Sequence, residues 1–296
     1  MRSWLFVPGD SERKLAKAFD TEADIIILDL EDSVAPARKH IARGLVREAA
    51  KDAPAPVAIR INPLTGEDAQ RDIDAIIDAA PTSIVLPKSE GGADVTHLGH
   101  RLSVAEAEEG LSDGAVTIMA IATETAAAVF GLGSYMNAST RLTAMTWGSE
   151  DLSTALSATR TRTPEGALTG PYALARSLCL LGAHAAGVAP IDTVFTTLND
   201  EAGLHQECLD AAADGFFGKL AIHPAQVPII NETFTPTPKA LAHAEDVVSA
   251  FAAAPDAGVL AVGGKMVDRP HLKNAEQVIA RASAIKARTN RHPTDG

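Results

Sequence analysis

Two carboxylates in this sequence each close a separate apolar run, and together they have the chemistry of a site for a hard cation. The run 116–122 leads into Glu124, and the run 142–147 leads into Asp151. Two oxygen-only side chains suit Mg2+, with water and substrate completing the shell. Spacing leaves a second reading open: Glu124 as an acid in the first turn of a helix, and Asp151 as an N-cap. Arg60 ends the run 57–59. A guanidinium there can bind a carboxylate or stabilise an enolate oxygen, and an ion pair with Asp29 or Glu31 is the alternative. Asp29, Glu31 and Asp32 follow the run 25–28. Strand alternation puts the first two on one face and turns the third away, so the three cannot all be ligands. They are expected to orient Arg60 or a metal-bound water. Lys88, after the run 84–86, either neutralises substrate or pairs with that acidic cluster. His223, after 220–222, reads as a hydrogen-bonded residue of an Ile-His-Pro turn or as a catalyst. Asp268, two residues before Pro270, reads as a helix N-cap or as a base swung over a mouth.

Delivering these groups to one place requires strands that end side by side. Short aliphatic runs at 3–7, 24–30, 57–61, 83–86, 116–122, 142–147, 188–194 and 219–222 predict strands. Amphipathic stretches at 11–19, 37–51, 68–79, 95–109, 124–135, 171–186 and 200–213 predict the intervening helices, with a further helical start at 151–158. Eight β/α units predict an α/β fold, the closed (β/α)8 or TIM barrel, in which catalytic groups gather at the C-terminal ends of the strands. The barrel is expected to occupy residues 1–234. The Thr- and Pro-rich stretch 233–238 reads as a linker. A helix at 239–253, a hairpin at 258–268 around Gly263-Gly264 and a helix at 270–288 follow, with a frayed end at 289–296. Residues 235–296 are thus expected to form a small helical and hairpin lid or oligomer contact.

Composition narrows the function. A chain of 296 residues with 4% aromatics suits a barrel packed with small and branched aliphatics. A net charge of −12 without any basic block argues against nucleic acid, although a few local cations suffice for a small anionic ligand. Cys179 and Cys208 lack metal or redox spacing and read as reduced structural thiols. The N-terminal apolar stretch is stopped by Pro8, and no run approaches the ~20 residues of a membrane span. A cytoplasmic protein without membrane partners is the expectation. Phosphate-cradling Gly-Lys-Ser/Thr loops, dinucleotide-binding turns and Gly-x-Ser-x-Gly elbows are absent.

Several segments in chain order resemble the citrate lyase beta-subunit-like family of the HpcH/HpaI aldolase superfamily. They are Leu5-Phe6-Val7-Pro8-Gly9 with Arg13 and Lys17, Leu28-Asp29-Leu30-Glu31-Asp32-Ser33-Val34, Arg60-Ile61-Asn62 and Leu86-Pro87-Lys88. Further along come Glu124-Thr125-Ala126, Gly148-Ser149-Glu150-Asp151-Leu152, Gly218-Lys219 and Ile222-His223-Pro224-Ala225-Gln226. The segment 264–270 is similar to the tail of stand-alone citramalyl-CoA and malyl-CoA lyases and thioesterases. The resemblance implies a TIM barrel that assembles as a homotrimer or hexamer, with Mg2+ on Glu124 and Asp151. It implies that Arg60 binds substrate, that Phe6, Arg13, Lys17, Ile222 and His223 line an acyl-CoA path, and that Asp268 is the catalytic carboxylate. The implied activity is Mg-dependent, reversible Claisen-type cleavage of a 3-hydroxy-3-carboxy acyl-CoA to a 2-oxo acid and an acyl-CoA, with thioester hydrolysis as a related outcome. A citryl-thioester lyase subunit working on a carrier-bound substrate, and a non-catalytic binding or scaffold barrel, are the alternatives.

Overall fold

The computed structural model describes residues 1–51 and 53–289. Chain contacts divide it into two compact units, Met1–Asn231 and the chain from Glu232 onward. In the first unit eight parallel strands close on themselves in chain order. They are β1 (Ser3–Pro8), β2 (Ile25–Asp29), β3 (Val57–Arg60), β4 (Ser83–Leu86), β5 (Thr117–Ile121), β6 (Leu142–Thr146), β7 (Ala189–Asp192) and β8 (Gly218–Ala221). β8 pairs back on β1 through Ser3, Trp4 and Leu5. Helices α1 (Glu12–Ala18), α2 (Lys39–Lys51), α3 (Asp68–Ile76), α4 (Gly92–Glu108), α5 (Ala126–Gly131), α6 (Ser149–Ala155), α7 (Gly170–Ala186) and α8 (Glu201–Asp214) connect them. The expected fold class is what the chain adopts.

The strands are apolar on both faces because helices cover the outside and side chains fill the inside. Trp4, Ile27, Ala58, Val85, Met119 and Ile191 pack the barrel interior. Alternation carries the same inward face two residues further, to Asp29 beyond Ile27 and Arg60 beyond Ala58. The mouth chemistry is therefore a continuation of the core pattern with polar residues substituted at its last layer. Gly9 serves this closure: a Cβ on it would lie 2.5 Å from the Asp29 carbonyl oxygen, which accepts the Gly9 N–H.

Charge also holds the outer layer. Asp192 and Lys219, both fully buried, lie 3.3 Å apart between strands and helices. Asp192 accepts the Trp147 indole N–H at 2.6 Å and pairs with Arg176 of α7, while Lys219 reaches Glu207 of α8 at 2.7 Å. Arg162, in the loop before α7, pairs with the same Glu207.

α9 (Gln226–Phe234) carries the chain into the second unit, which contains α10 (Pro238–Ala253), β9 (Val259–Val262), β10 (Lys265–Asp268) and α11 (Arg269–Thr289). Val247, Phe251, Val267 and Ala275 form its small core. The hairpin turns on Gly263 and Gly264 at φ 57° and 76°, the left-handed pair a tight turn requires. The expected linker at 233–238 is corrected. α9 reaches Phe234, and Val227, Ile230 and Phe234 bury one stripe of it, a helical pattern interrupted in sequence by Pro228. The following stretch ends at Thr237, whose hydroxyl caps α10 with Pro238 at its first position. Residues 290–296, part of the expected frayed end, lie outside the described residues. No helix among the described residues is long and apolar enough to cross a membrane.

Removing one member of a buried ion pair leaves its partner charge unsatisfied. Asp192→Asn is expected to cost about 3 kcal/mol in chemical denaturation; a variant as stable as the parent would contradict this account of the network.

Candidate active site

Arg60 is the fixed point of the barrel mouth. Its Nε donates to Asp29 Oδ1 at 2.7 Å and its Nη2 to Asp29 Oδ2 at 2.6 Å, a bidentate fork. Nη1 lies 2.9 Å from Glu31 Oε2, and the guanidinium carbon stands 4.8 Å from the centre of the Phe6 ring. Burial pushes the Asp29 carboxyl up, but the hydrogen bonds and charge of Arg60 outweigh it and hold Asp29 below its ordinary range. For Glu31 burial wins over the charges of Arg60 and Lys88, and its pKa is raised. Asn62 locks this arrangement. Its side-chain amide donates to the Leu30 carbonyl at 3.0 Å while Leu30 N–H donates to the Arg60 carbonyl at 2.9 Å, extending the β2–β3 ladder past the strand ends. Asp72 of α3, fully buried, accepts from both the backbone and the side chain of Asn62.

Lys88 sits opposite, just after β4, with φ +51°. Its backbone N–H donates to Glu124 Oε2 at 2.5 Å. Its ammonium lies 2.5 Å from Glu31, 3.1 Å from Asp32 and 3.4 Å from Asp151. The expectation that Asp32 turns away is therefore corrected. β2 ends at Asp29, so strand alternation no longer governs residue 32, and the turn brings its carboxylate back to Lys88. Both readings offered for Lys88 and Arg60 as partners of the acidic cluster hold in geometry.

Glu124 is 3% exposed and precedes α5, whose N-cap is Thr125, with the Thr125 hydroxyl accepting from Ala128 N–H. The first-turn reading thus fails for Glu124, which lies outside the helix. Asp151 is the third residue of α6, whose N-cap position belongs to Gly148, so Asp151 is a first-turn acid and not the cap. Gly148 leaves the space Glu124 occupies: a Cβ there would lie 2.9 Å from Glu124 Cγ. Burial, opposed by the Lys88 N–H and reinforced by the charges of Asp151 and Glu31, pushes Glu124 up to about 8.

A cavity of about 380 Å³ opens over these groups. Phe6, Asp29, Asp32, Arg60, Glu124, Asp151 and Ile222 line it. Glu31 and Lys88 adjoin it through the ion pairs above. Sequence reasoning missed Trp147, Gly148 and Thr193 in its wall, and the Gly-Ser-Glu-Asp stretch after β6 was the available signal. Arg13 and Lys17 lie exposed on α1, and His223 is exposed in its turn, where its Nδ1 accepts from Ala225 N–H at 3.2 Å. Gln226 fixes that turn by accepting from the Ile222 and His223 N–H groups. Asp268, in the second unit, precedes α11 and accepts from both the backbone and the ring of His271, the capping geometry.

The fit to a divalent cation rests on the donor set. Among the described residues no cluster of three or more His, Cys, Asp or Glu side chains could hold a metal ion. Glu124 and Asp151 form a pair that faces one cavity, an oxygen-only arrangement that leaves the remaining positions to water and substrate.

A β/α barrel whose strand ends gather acids, an arginine and a lysine around one cavity defines the class, an enzyme of the aldolase and lyase type. Residues 2–224 match the family model described as HpcH/HpaI aldolase/citrate lyase. The chain belongs to this family. It is 38% identical over 279 residues to a citrate lyase subunit beta-like protein of Mycobacterium tuberculosis (strain CDC 1551 / Oshkosh), covering 94% of each chain. It is 30% identical over 304 residues to the mitochondrial citramalyl-CoA lyase of Rattus norvegicus, covering 96% of this chain and 87% of that one. A crystal structure of the protein CitE from M. tuberculosis in complex with magnesium, acetoacetate and coenzyme A superposes with a TM-score of 0.74 at 34% identity, covering 95% of this chain and 98% of that one.

Because the folded-state pKa of Glu124 lies above its unfolded value of 4.5, the native state holds a proton that the unfolded chain releases. That contribution is complete below the unfolded pKa and is lost as pH rises through about 8. Chelator-treated protein is therefore expected to lose denaturant resistance between about pH 5 and about pH 8, and Glu124→Gln to flatten the decline. Equal slopes in the two proteins would contradict the assignment.

Proposed function

We propose that the protein is a Mg2+-dependent carbon–carbon lyase that cleaves a 3-hydroxy-3-carboxy acyl-CoA thioester of the malyl-CoA or citramalyl-CoA type, reversibly, to a 2-oxo acid and an acyl-CoA. The observation that carries this reading is the convergence of Glu124, Asp151 and Arg60 on one cavity. Membership of the family supports it, as do the citramalyl-CoA lyase activity named for one relative and the magnesium and coenzyme A named for another.

Glu124 and Asp151 would hold the cation. Bound there, Mg2+ supplies Lewis acidity toward the oxygens of a 2-oxo acid. Arg60 presents a fixed positive charge to the cavity. Its fork on Asp29 keeps it from reorienting as negative charge develops on the thioester oxygen, which is how a preorganised donor lowers a barrier. Phe6 and Ile222 give the cavity an apolar wall. Asp268 is assigned the proton transfer at the carbanionic carbon, protonating it in cleavage and deprotonating it in synthesis. The family resemblance carries this assignment, together with those of Arg13, Lys17 and His223 to the acyl-CoA path and of residues 235–296 to a lid. Assembly as a homotrimer or hexamer and a cytoplasmic setting belong to the same reading.

Purified protein given malyl-, citramalyl- and methylated malyl-CoA thioesters is expected to release 2-oxo acid and acyl-CoA with Mg2+ and to stop with a chelator. Turnover of none of them would sink the proposal, and turnover confined to a carrier-bound citryl thioester with partner proteins would assign a complex subunit instead. Asp268→Asn is expected to lower kcat with little change in KM, whereas unchanged kcat would remove Asp268 from the chemistry. Gly148→Ala crowds Glu124 without straining its own backbone, at φ −116° and ψ 119°. It is expected to lower kcat/KM by about 100-fold, the scale of a misplaced reacting group, with thermal unfolding little changed. Full activity would show that Glu124 tolerates displacement.

A further inference from the structure

Lys88 holds the two candidate ligands by chemically different ends. Its backbone N–H binds Glu124, and its ammonium contacts Asp151 together with Glu31 and Asp32. The left-handed backbone is unusual for a residue with a side chain and strained for it. Its neighbour secures it, since the buried Tyr135 hydroxyl donates to Ser89 Oγ at 2.8 Å. Glycine adopts such a turn without strain and keeps the same N–H on Glu124. What glycine lacks is the ammonium, so the positive charge is what the strained lysine adds.

Asp29, Glu31, Asp32, Glu124 and Asp151 crowd the mouth against Arg60 and Lys88. Arg60 is committed to Asp29 and Glu31. Among the described residues, the ion pair to Asp151 comes from Lys88. We propose that Lys88 is the built-in counter-cation of this mouth, a positioning residue that neutralises Asp151 before a divalent ion arrives and yields Asp151 to that ion. The proposal rests on the reading that Glu124 and Asp151 share one Mg2+. It adds that the lysine keeps mutually repelling acids in place when no metal is bound, and that the ion must displace it from one of them. On displacement the ammonium retains Glu31 and Asp32, so it stays at the rim as a fixed charge.

The test is calorimetric titration of chelator-treated full-length protein with MgCl2, without substrate. Lys88→Gly and Lys88→Met both remove the competing charge, and each is expected to bind Mg2+ about tenfold more tightly than the parent, the scale of one nearby charge in a partly exposed site. Lys88→Arg restores the charge and is expected to bind like the parent. Lys88→Gly keeps the turn and the N–H to Glu124, so it reads the ammonium alone even where Lys88→Met disturbs the loop. Unchanged or weaker binding by folded Lys88→Gly overturns the counter-cation role while leaving the metal assignment standing. Absence of Mg2+ binding by the parent protein is the separate result that overturns the metal assignment, and this inference with it.

Discussion

Mutual repulsion among carboxylates is the constraint on which the barrel mouth is built. Asp29, Glu31, Asp32, Glu124 and Asp151 are brought together by the ends of three strands, β2, β5 and β6, and the turns after them, and such crowding is unfavourable unless cations are interleaved. Arg60 and Lys88 divide that task. Arg60 is largely buried and held in place, forked onto Asp29 and backed by the Phe6 ring. Lys88 is half-buried and shared among three acids. Burial, with the charges of Asp151 and Glu31 added to it, still pushes Glu124 up to about 8, so this carboxyl is the one at the mouth least compensated by the two cations.

The rest of the barrel serves to keep these groups from relaxing apart. Asn62 and Asp72 extend the hydrogen bonding of two strands beyond their ends, so that the acids beside Arg60 are held by backbone geometry as well as by charge. On the opposite side, Asp192 takes the indole N–H of Trp147, the residue just before Gly148, and so tethers the turn that leads to Asp151. Breaking a buried pair such as Asp192–Lys219 strands a charge in a dry layer, which makes the network restrictive even where it adds little net stability.

Much of this was legible in the sequence, for definite physical reasons. Parallel strands covered on both faces are written as continuous aliphatic runs, and a polar residue ending such a run must emerge at a rim. That logic located Arg60, Glu124, Lys88 and Asp151. It failed where the strand had already ended: residue 32 folds back onto Lys88 because alternation stops at Asp29. It was also blind to the left-handed backbone of Lys88, since a lysine announces no turn, and to the grip of its N–H on Glu124. α9 escaped because Pro228 and the Thr-Pro stretch after it read as breakers, while its buried stripe of Val227, Ile230 and Phe234 is evident only once packed. The buried Asp192–Lys219 pair had no signal, because charged residues on the outer face of a strand are indistinguishable from solvated ones until helices cover them.

Anomalous diffraction from crystals soaked in Mn2+, a stand-in for Mg2+, tests the central claim most directly. The account predicts a single strong peak at the barrel mouth within bonding distance of carboxylate oxygens from both Glu124 and Asp151. A peak bound by only one of them, or found elsewhere while the mouth stays empty at saturating ion, would contradict it.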